Sequence, residues 1–349
     1  MNTNRTLAAL TATFIVLALS ALPARAQKTD GFSFRDTPGK HLDVLHGNRT
    51  MLRFMYAFDE TSPDTRLATY KPYLHVFDVS GELMLTKGAG GTFTHHRGIF
   101  IGWNKVTFGG AVHDLWHMPK GAQVHQKFTS QKGGPAEAEF TSNVHWKDNT
   151  GKLAIDEERT FRLRRAEAPA YAVLDFTSRL RAPNGDVVLD GDPEHAGIHF
   201  RPAEEVERSP IYTYSQADAA PHKDTDYAWV GEQFKLAGRT FSVVEMSHPA
   251  NPKGTRWSAY RDYGRFGAFP VAKIENGGTL TLRYRFLLAE GSMPGADYIH
   301  KSYNEFAGTS SPTPKVTVLP AEKGGPAAKA DAKKAAKKAD PKKADEPKK

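Results

Sequence analysis

The chain has no cysteine among its 349 residues, which excludes disulfides, thiolate nucleophiles and cysteine-based metal sites. It has no G-x-S-x-G, no P-loop and no G-x-G-x-x-G, so a serine nucleophile elbow and the common nucleotide cradles are excluded as motifs. Long apolar runs are missing after the first 26 residues; a membrane-spanning helix needs about 20 apolar residues. Basic charge is also missing from the body. Ten Lys against five acids put +5 on residues 321–349, and Arg5 and Arg25 add +2, so of the total +8 only +1 belongs to residues 27–320. That near-neutral body excludes nucleic acid as an expected partner.

The two ends are distinct. Arg5, the apolar run Leu7 to Leu22 and Ala24-Arg25-Ala26 have the layout of a signal peptide over residues 1–26. An exported protein, periplasmic or extracellular, is expected. Residues 308–349 are expected to form a disordered Lys/Ala/Pro-rich tail, since from Ala321 onward no aromatic or branched apolar residue is present. Its Lys residues allow contact with an anionic envelope polymer, although an inert solvated tail is the plainer reading.

Residues 27–307 read as one large all-β domain with few short helices. Ala172, Leu174, Phe176 and Leu180 share one face, with Asp175, Thr177 and Arg179 opposite. Leu280, Leu282, Tyr284, Phe286 and Leu288 repeat the pattern. Turn signals such as Asn184-Gly185 and Asn276-Gly277-Gly278 punctuate the runs. No window of 12 residues shows a convincing helical stripe. Alternating strands without a βαβ rhythm predict a large antiparallel β-sandwich.

Three histidine-bearing segments stand out: Thr94-His95-His96-Arg97-Gly98 before an apolar strand, His113-Asp114-Leu115-Trp116-His117, and Asp192 through Arg201. In the third, alternation puts His195, His199 and Arg201 on one face. Imidazole carries protons near neutral pH, and a carboxyl in an apolar pocket can serve as acid or base. His96, His117, Glu194 and His199 are therefore the candidate catalytic groups. His95, Arg97, His195, Arg201, Arg261 and Tyr263 are candidate substrate contacts. Trp103, Trp116 and Trp257 would stack against a pyranose face. Each has a plain structural alternative: the Trp residues as core, Arg97 as partner of a surface acid.

No cofactor is expected. The alternative is one divalent metal held by His and Glu. His113/His117 and His195/His199 have i, i+4 spacing, but on a strand rising ~3.3 Å per residue their side chains stand about 13 Å apart. A metal site would have to be assembled across segments, for example from His95 or His96 with His117 and Glu194, as an imidazole-type N/O site.

Seven short motifs in order carry a family resemblance: Lys71-Pro72-Tyr73-Leu74-His75, His95-His96-Arg97-Gly98, Asp114-Leu115-Trp116-His117, Glu194-His195-Ala196-Gly197-Ile198, Ser247-His248-Pro249-Ala250-Asn251-Pro252, Trp257 with Arg261-Asp262-Tyr263-Gly264, and Leu282-Arg283-Tyr284-Arg285-Phe286. Together they resemble a bacterial family of unknown function often labelled "methane oxygenase PmoA", over roughly residues 70–306. The label implies a membrane subunit with several spanning helices, which this sequence lacks. The resemblance implies instead a setting among polysaccharide-degrading genes. Its β-rich pattern is similar to the galactose-mutarotase-like supersandwich, where His and Glu on a concave sheet handle a sugar ring. Thr94, where Pro is common, and Gly88 to Thr92, in place of a more acidic stretch, depart from the family pattern.

Three functions follow as expectations. The first is a secreted enzyme acting on a carbohydrate or other polar small molecule by His/Glu acid–base chemistry, with epimerisation, elimination and hydrolysis all open. The second is a non-catalytic glycan-binding protein. The third is a metal-dependent oxidase or hydrolase with an inter-strand histidine site.

Overall fold

A computed structural model describes residues 31–323. The expected signal peptide, and the tail beyond residue 323, lie outside the described residues. Alternation is realised as predicted in long strands such as Leu153–Arg165 and Ala170–Arg181, whose buried and open positions alternate over most of their lengths. In Thr279–Glu290 it gives way to an unbroken buried run from Tyr284 to Ala289, where both faces are covered. The fold is an all-β antiparallel sandwich.

One sheet has six strands, in the order Phe32–Thr37, His41–His46, Arg49–Met55, Tyr73–Val76, Ile99–Trp103 and Ala196–Phe200. The other has nine, running from Thr317–Pro320 at one edge through Thr279–Glu290 to Ala122–Gly133 at the other. Side chains from both inner faces meet in one core. Phe54 of the smaller sheet lies 5.4 Å from Phe140 and 5.7 Å from Phe161 of the larger, ring centre to ring centre. Aromatic pairs at such tilted distances add to the apolar area they remove from water.

The few short helices expected are two among the described residues, α1 over Pro63–Thr69 and α2 over Ala296–Ala307. Two expectations are corrected, the absence of a helical window of 12 residues, by α2, and the start of the tail. The apolar stripe of α2 is mostly aromatic, with Tyr303 and Phe306 joining buried Ile299 against Trp229, Met246 and Leu287. Aromatic residues favour strands by propensity, and packing overrides that preference here. Thr317–Pro320, assigned above to a disordered tail, pairs with Ile211–Tyr214. Val318 and Leu319 give that short segment a strand pattern, which the Lys/Ala-rich residues after it lack. No helix among the described residues is long and apolar enough to cross a membrane.

The smaller sheet positions the histidine segments. Its last two strands pair directly, Ile101 opposite Ile198, so the loop before residue 99 and the turn before residue 196 belong to neighbouring strands. Two motif glycines are needed for this. Gly98 has a positive φ of 21°, and a Cβ there would collide with the Leu74 carbonyl oxygen. Gly197 has φ 74°, and a Cβ would collide with the carbonyl of Ala268. Only glycine accepts both the conformation and the close approach.

Candidate metal centre

His95, His117 and His195 converge, each offering one ring nitrogen within 4.8 Å of the others. Their ring centres are 4.4 Å apart for His95 and His117, 4.7 Å for His117 and His195, and 5.6 Å for His95 and His195. His117 and His195 are held by the same local device, Asp-x-x-His. Asp114 accepts from the backbone N–H groups of Trp116 and His117, and its other oxygen lies 2.7 Å from His117 Nδ1. Asp192 accepts from the Glu194 N–H and lies 2.8 Å from His195 Nδ1. Its second oxygen accepts from Asn104 Nδ2 at 2.6 Å. A short Asp side chain that bonds backbone two and three residues on closes such turns.

These bonds set the tautomers. A carboxylate only accepts, so Nδ1 of each ring carries a proton, and Nε2 is the atom each ring could offer to a metal. His95 Nε2 is buried without a hydrogen-bond partner. Burial first, then the neighbouring charges of His117, Lys71, His195 and Arg265, push the His95 imidazole down to about 2, so it is neutral. Burial alone would raise the carboxyls of Asp114 and Asp192, but the hydrogen bonds from His117 and His195 outweigh it and both are lowered. The three imidazoles, two of them oriented by carboxylates, form a donor set suited to a Zn-, Fe- or Cu-type divalent ion. His117 and His195 keep 33% and 29% of their side-chain surface, so the site opens to solvent on one side. A groove of about 600 Å³ leads off from His117 past Glu60, Ser62, Asp64 and Leu67 beside α1.

The other expected site residues fall in different places. His96 lies under His95, with ring centres 4.3 Å apart, and is buried. His199 is fully buried against Phe100 and Trp116, and its Nε2 lies 3.1 Å from the Arg97 carbonyl. Burial holds both imidazoles well below the usual histidine range. Neither reaches solvent to exchange a proton with a substrate, so His96 and His199 support the site from beneath.

Glu194 forms an ion pair with Arg261 and is not among the three converging groups; His195 takes the place expected for it. Arg97 is buried, its guanidinium bound to the carbonyls of Leu67 and Ala68. Arg201 is likewise bound to the carbonyls of Pro202 and Tyr263. Both anchor loops. Tyr263 is buried beside Phe93, 5.1 Å away. Trp103, Trp116 and Trp257 are each no more than 1% exposed. They are core residues with no face free for a sugar, and Trp103 donates to the Pro270 carbonyl. Asp114, Asp192 and Asn104 were missed. The available signal was the repeated Asp-x-x-His of Asp114/His117 and Asp192/His195.

Fold and site together define an antiparallel β-sandwich carrying a three-histidine candidate metal centre at one rim. The chain belongs to the family of unknown function DUF6807, whose model matches residues 41–304; that description carries no methane-oxygenase assignment. No curated protein matches the sequence. Similar solved structures include a mutant of heparan sulfate lyase HepC from Pedobacter heparinus, at 9% identity and TM-score 0.40, covering 75% of this chain and 37% of that one. Galactose 1-epimerase from Lactobacillus acidophilus NCFM is similar at 10% identity and TM-score 0.31, covering 74% of this chain and 94% of that one. A galactose mutarotase related enzyme from Lactobacillus acidophilus is similar at 7% identity and TM-score 0.33, with 75% and 97% covered. This chain thus spans little more than a third of the lyase. None of these likenesses assigns it an activity.

Proposed function

We propose that the protein is a metal-dependent enzyme that uses the His95, His117 and His195 centre on a polar, carbohydrate-like small molecule. The carrying observation is the pair of Asp-x-x-His units whose carboxylates hold two imidazoles by Nδ1 beside a third, with one ring nitrogen of each within 4.8 Å of the others. An ordinary surface or core histidine has no need of that arrangement, and second-sphere carboxylates of this kind raise ligand basicity and fix ring orientation. Three protein ligands on a solvent-open rim leave a coordination position for water or substrate. A divalent ion bound there supplies Lewis-acid chemistry and acidifies bound water, which favours hydrolysis over the other reaction types. His95, His117 and His195 would hold the ion above the buried rings of Trp116 and His199.

The acid–base reading without metal is weaker, because His96 and His199 are buried and Glu194 is paired with Arg261. The glycan-binding reading loses its stacking tryptophans to the core. The carbohydrate assignment is supported by the family resemblance and by the groove beside His117, whose mixed lining includes Glu60, Thr61, Ser62 and Asp64. Action outside the cytoplasm is supported by the character of residues 1–26, and contact of the basic tail with anionic polymers by its charge.

The test is elemental analysis of full-length protein purified without chelator, beside His95→Ala and His117→Ala. About one divalent ion per chain, lost in both variants, is expected. Wild-type protein free of Zn, Fe and Cu, unable to take up any of them, would overturn the centre.

A further inference from the structure

Helix α1 is held by hydrogen bonds rather than by an apolar face. None of its seven residues is buried, and a helix that short is not stable alone. A capping box closes its start: the Ser62 hydroxyl accepts from the Thr65 N–H, and the Thr65 hydroxyl accepts from the Ser62 N–H. Its other anchors lead to two of the histidine loops. Arg97, two residues after His95, donates to the carbonyls of Leu67 and Ala68 at the end of the helix. From within the helix, Arg66 reaches the loop after His117. It donates through Nη1 to the Met118 carbonyl at 3.1 Å and through Nη2 to the Gly121 carbonyl at 2.8 Å. Its Nε donates to Glu60 at 3.2 Å, so all three nitrogens are engaged. Lys71, just beyond the helix and 1% exposed, donates to the Trp116 carbonyl at 2.7 Å. The backbone on both sides of His117 is thus bound by side chains from one short stretch. Met118 has a φ of 55°, a left-handed conformation that a non-glycine residue keeps only where its surroundings impose it. His95 and His117 are also the closest of the three ring pairs, at 4.4 Å.

We propose that α1 is the strut that fixes the separation of His95 from His117, and that Arg66 is its positioning residue. Arg97 ties the His95 loop to the helix, and Arg66 ties the helix to the His117 loop. Arg66 acts on the backbone of that loop, not on an imidazole. A planar guanidinium spans two carbonyls in a fixed geometry, which a single ammonium does not. This inference rests on the metal-centre reading above and adds to it the residue that sets the ligand spacing.

The experiment titrates full-length protein with Co²⁺, whose visible absorption reports on the coordination sphere, and follows urea unfolding of the metal-free protein in parallel. Arg66→Gln is expected to stay folded, to shift the Co²⁺ bands and to bind the ion about tenfold or more weakly, the scale of losing an outer-sphere support. Arg66→Lys, which keeps the charge without the fork, is expected to recover affinity only in part. Wild-type bands and affinity in folded Arg66→Gln overturn the proposal. A lower urea midpoint with bands and affinity unchanged does the same, since it assigns Arg66 to stability alone. Full recovery in Arg66→Lys also overturns it, because charge would then suffice. Should Arg66→Gln not fold, Arg66→Lys is judged by the same bands and affinity; failure of both to fold overturns the positioning role. Absence of Co²⁺ bands in wild-type protein overturns the metal centre, and this proposal with it; normal wild-type bands that the Arg66 variants share overturn this proposal alone.

Discussion

Asp114 and Asp192 do two jobs with one carboxylate each: they close a turn through backbone N–H groups and they orient an imidazole. Removing the charge while keeping the shape separates these jobs. Asp192→Asn should keep the fold and weaken metal binding about 10- to 100-fold, the usual effect of losing a second-sphere carboxylate. Competition titration against a chelator of known affinity measures it. An unchanged affinity would mean that the carboxylate serves the turn alone. Asp114→Asn should behave in the same way. A double variant should lose less than the product of the two if a single ordered ligand is enough to recruit the ion.

Among the elements, the antiparallel strands Ile99–Trp103 and Ala196–Phe200 are neighbours whose starts lie at opposite ends of the pair, so the segments before them must fold back for His95 and His195 to meet. Gly197 lets its strand pass the Ala268 carbonyl at a φ of 74°. Gly197→Ala should therefore cost about 2 kcal/mol or more, from strain at positive φ and from the collision. Urea denaturation measures this, and a loss well under 1 kcal/mol would show that the backbone relaxes around the methyl group. The edge strand Thr317–Pro320 covers Ile211–Tyr214. A chain ending at residue 315 should melt at a lower temperature and self-associate, because it exposes a row of unpaired backbone groups. A melting temperature equal to that of a chain ending at residue 323 would show the strand to be dispensable.

For the molecule as a whole, two buried acids of opposite behaviour shape stability against pH. Burial favours a raised carboxyl at Asp43, but hydrogen bonds from Arg53 at 2.6 Å and Arg35 at 2.8 Å outweigh it and leave it lowered. Its folded value lies below its unfolded value. The stability it contributes is present above about pH 4 and is lost as pH falls through the folded value. Glu232 has the opposite sign. It is fully buried with neither oxygen partnered, and burial raises it well above the usual range against the pull of Arg201. Its contribution is present below about pH 4 and is lost as pH rises through the folded value. Glu232→Gln should therefore leave stability at pH 4 nearly unchanged and increase it at pH 8. Unfolding midpoints at the two values decide the matter; an equal change at both would assign the effect to packing rather than ionisation.

Strand content, turn positions and the near-neutral body were legible in the order of residues, because alternation and turn chemistry are local and each strand carries its own pattern. The three histidine segments were legible as unusual for the same reason. So was the argument that no His-x-x-x-His pair on a strand clamps one ion alone. The path from residue 95 to 117 to 195 was not legible. Which of His95, His96, Glu194 and His195 meet depends on the pairing of two strands a hundred residues apart and on the turns that precede them. Trp103 and Trp257 illustrate the same limit: an aromatic ring that stacks on a sugar and one that fills a core are identical in sequence, and only the layer packed above the ring separates them. By itself the sequence determined an antiparallel sandwich bearing clustered imidazoles. Tertiary structure decided which imidazoles converge, since that choice is made by contacts between segments distant along the chain.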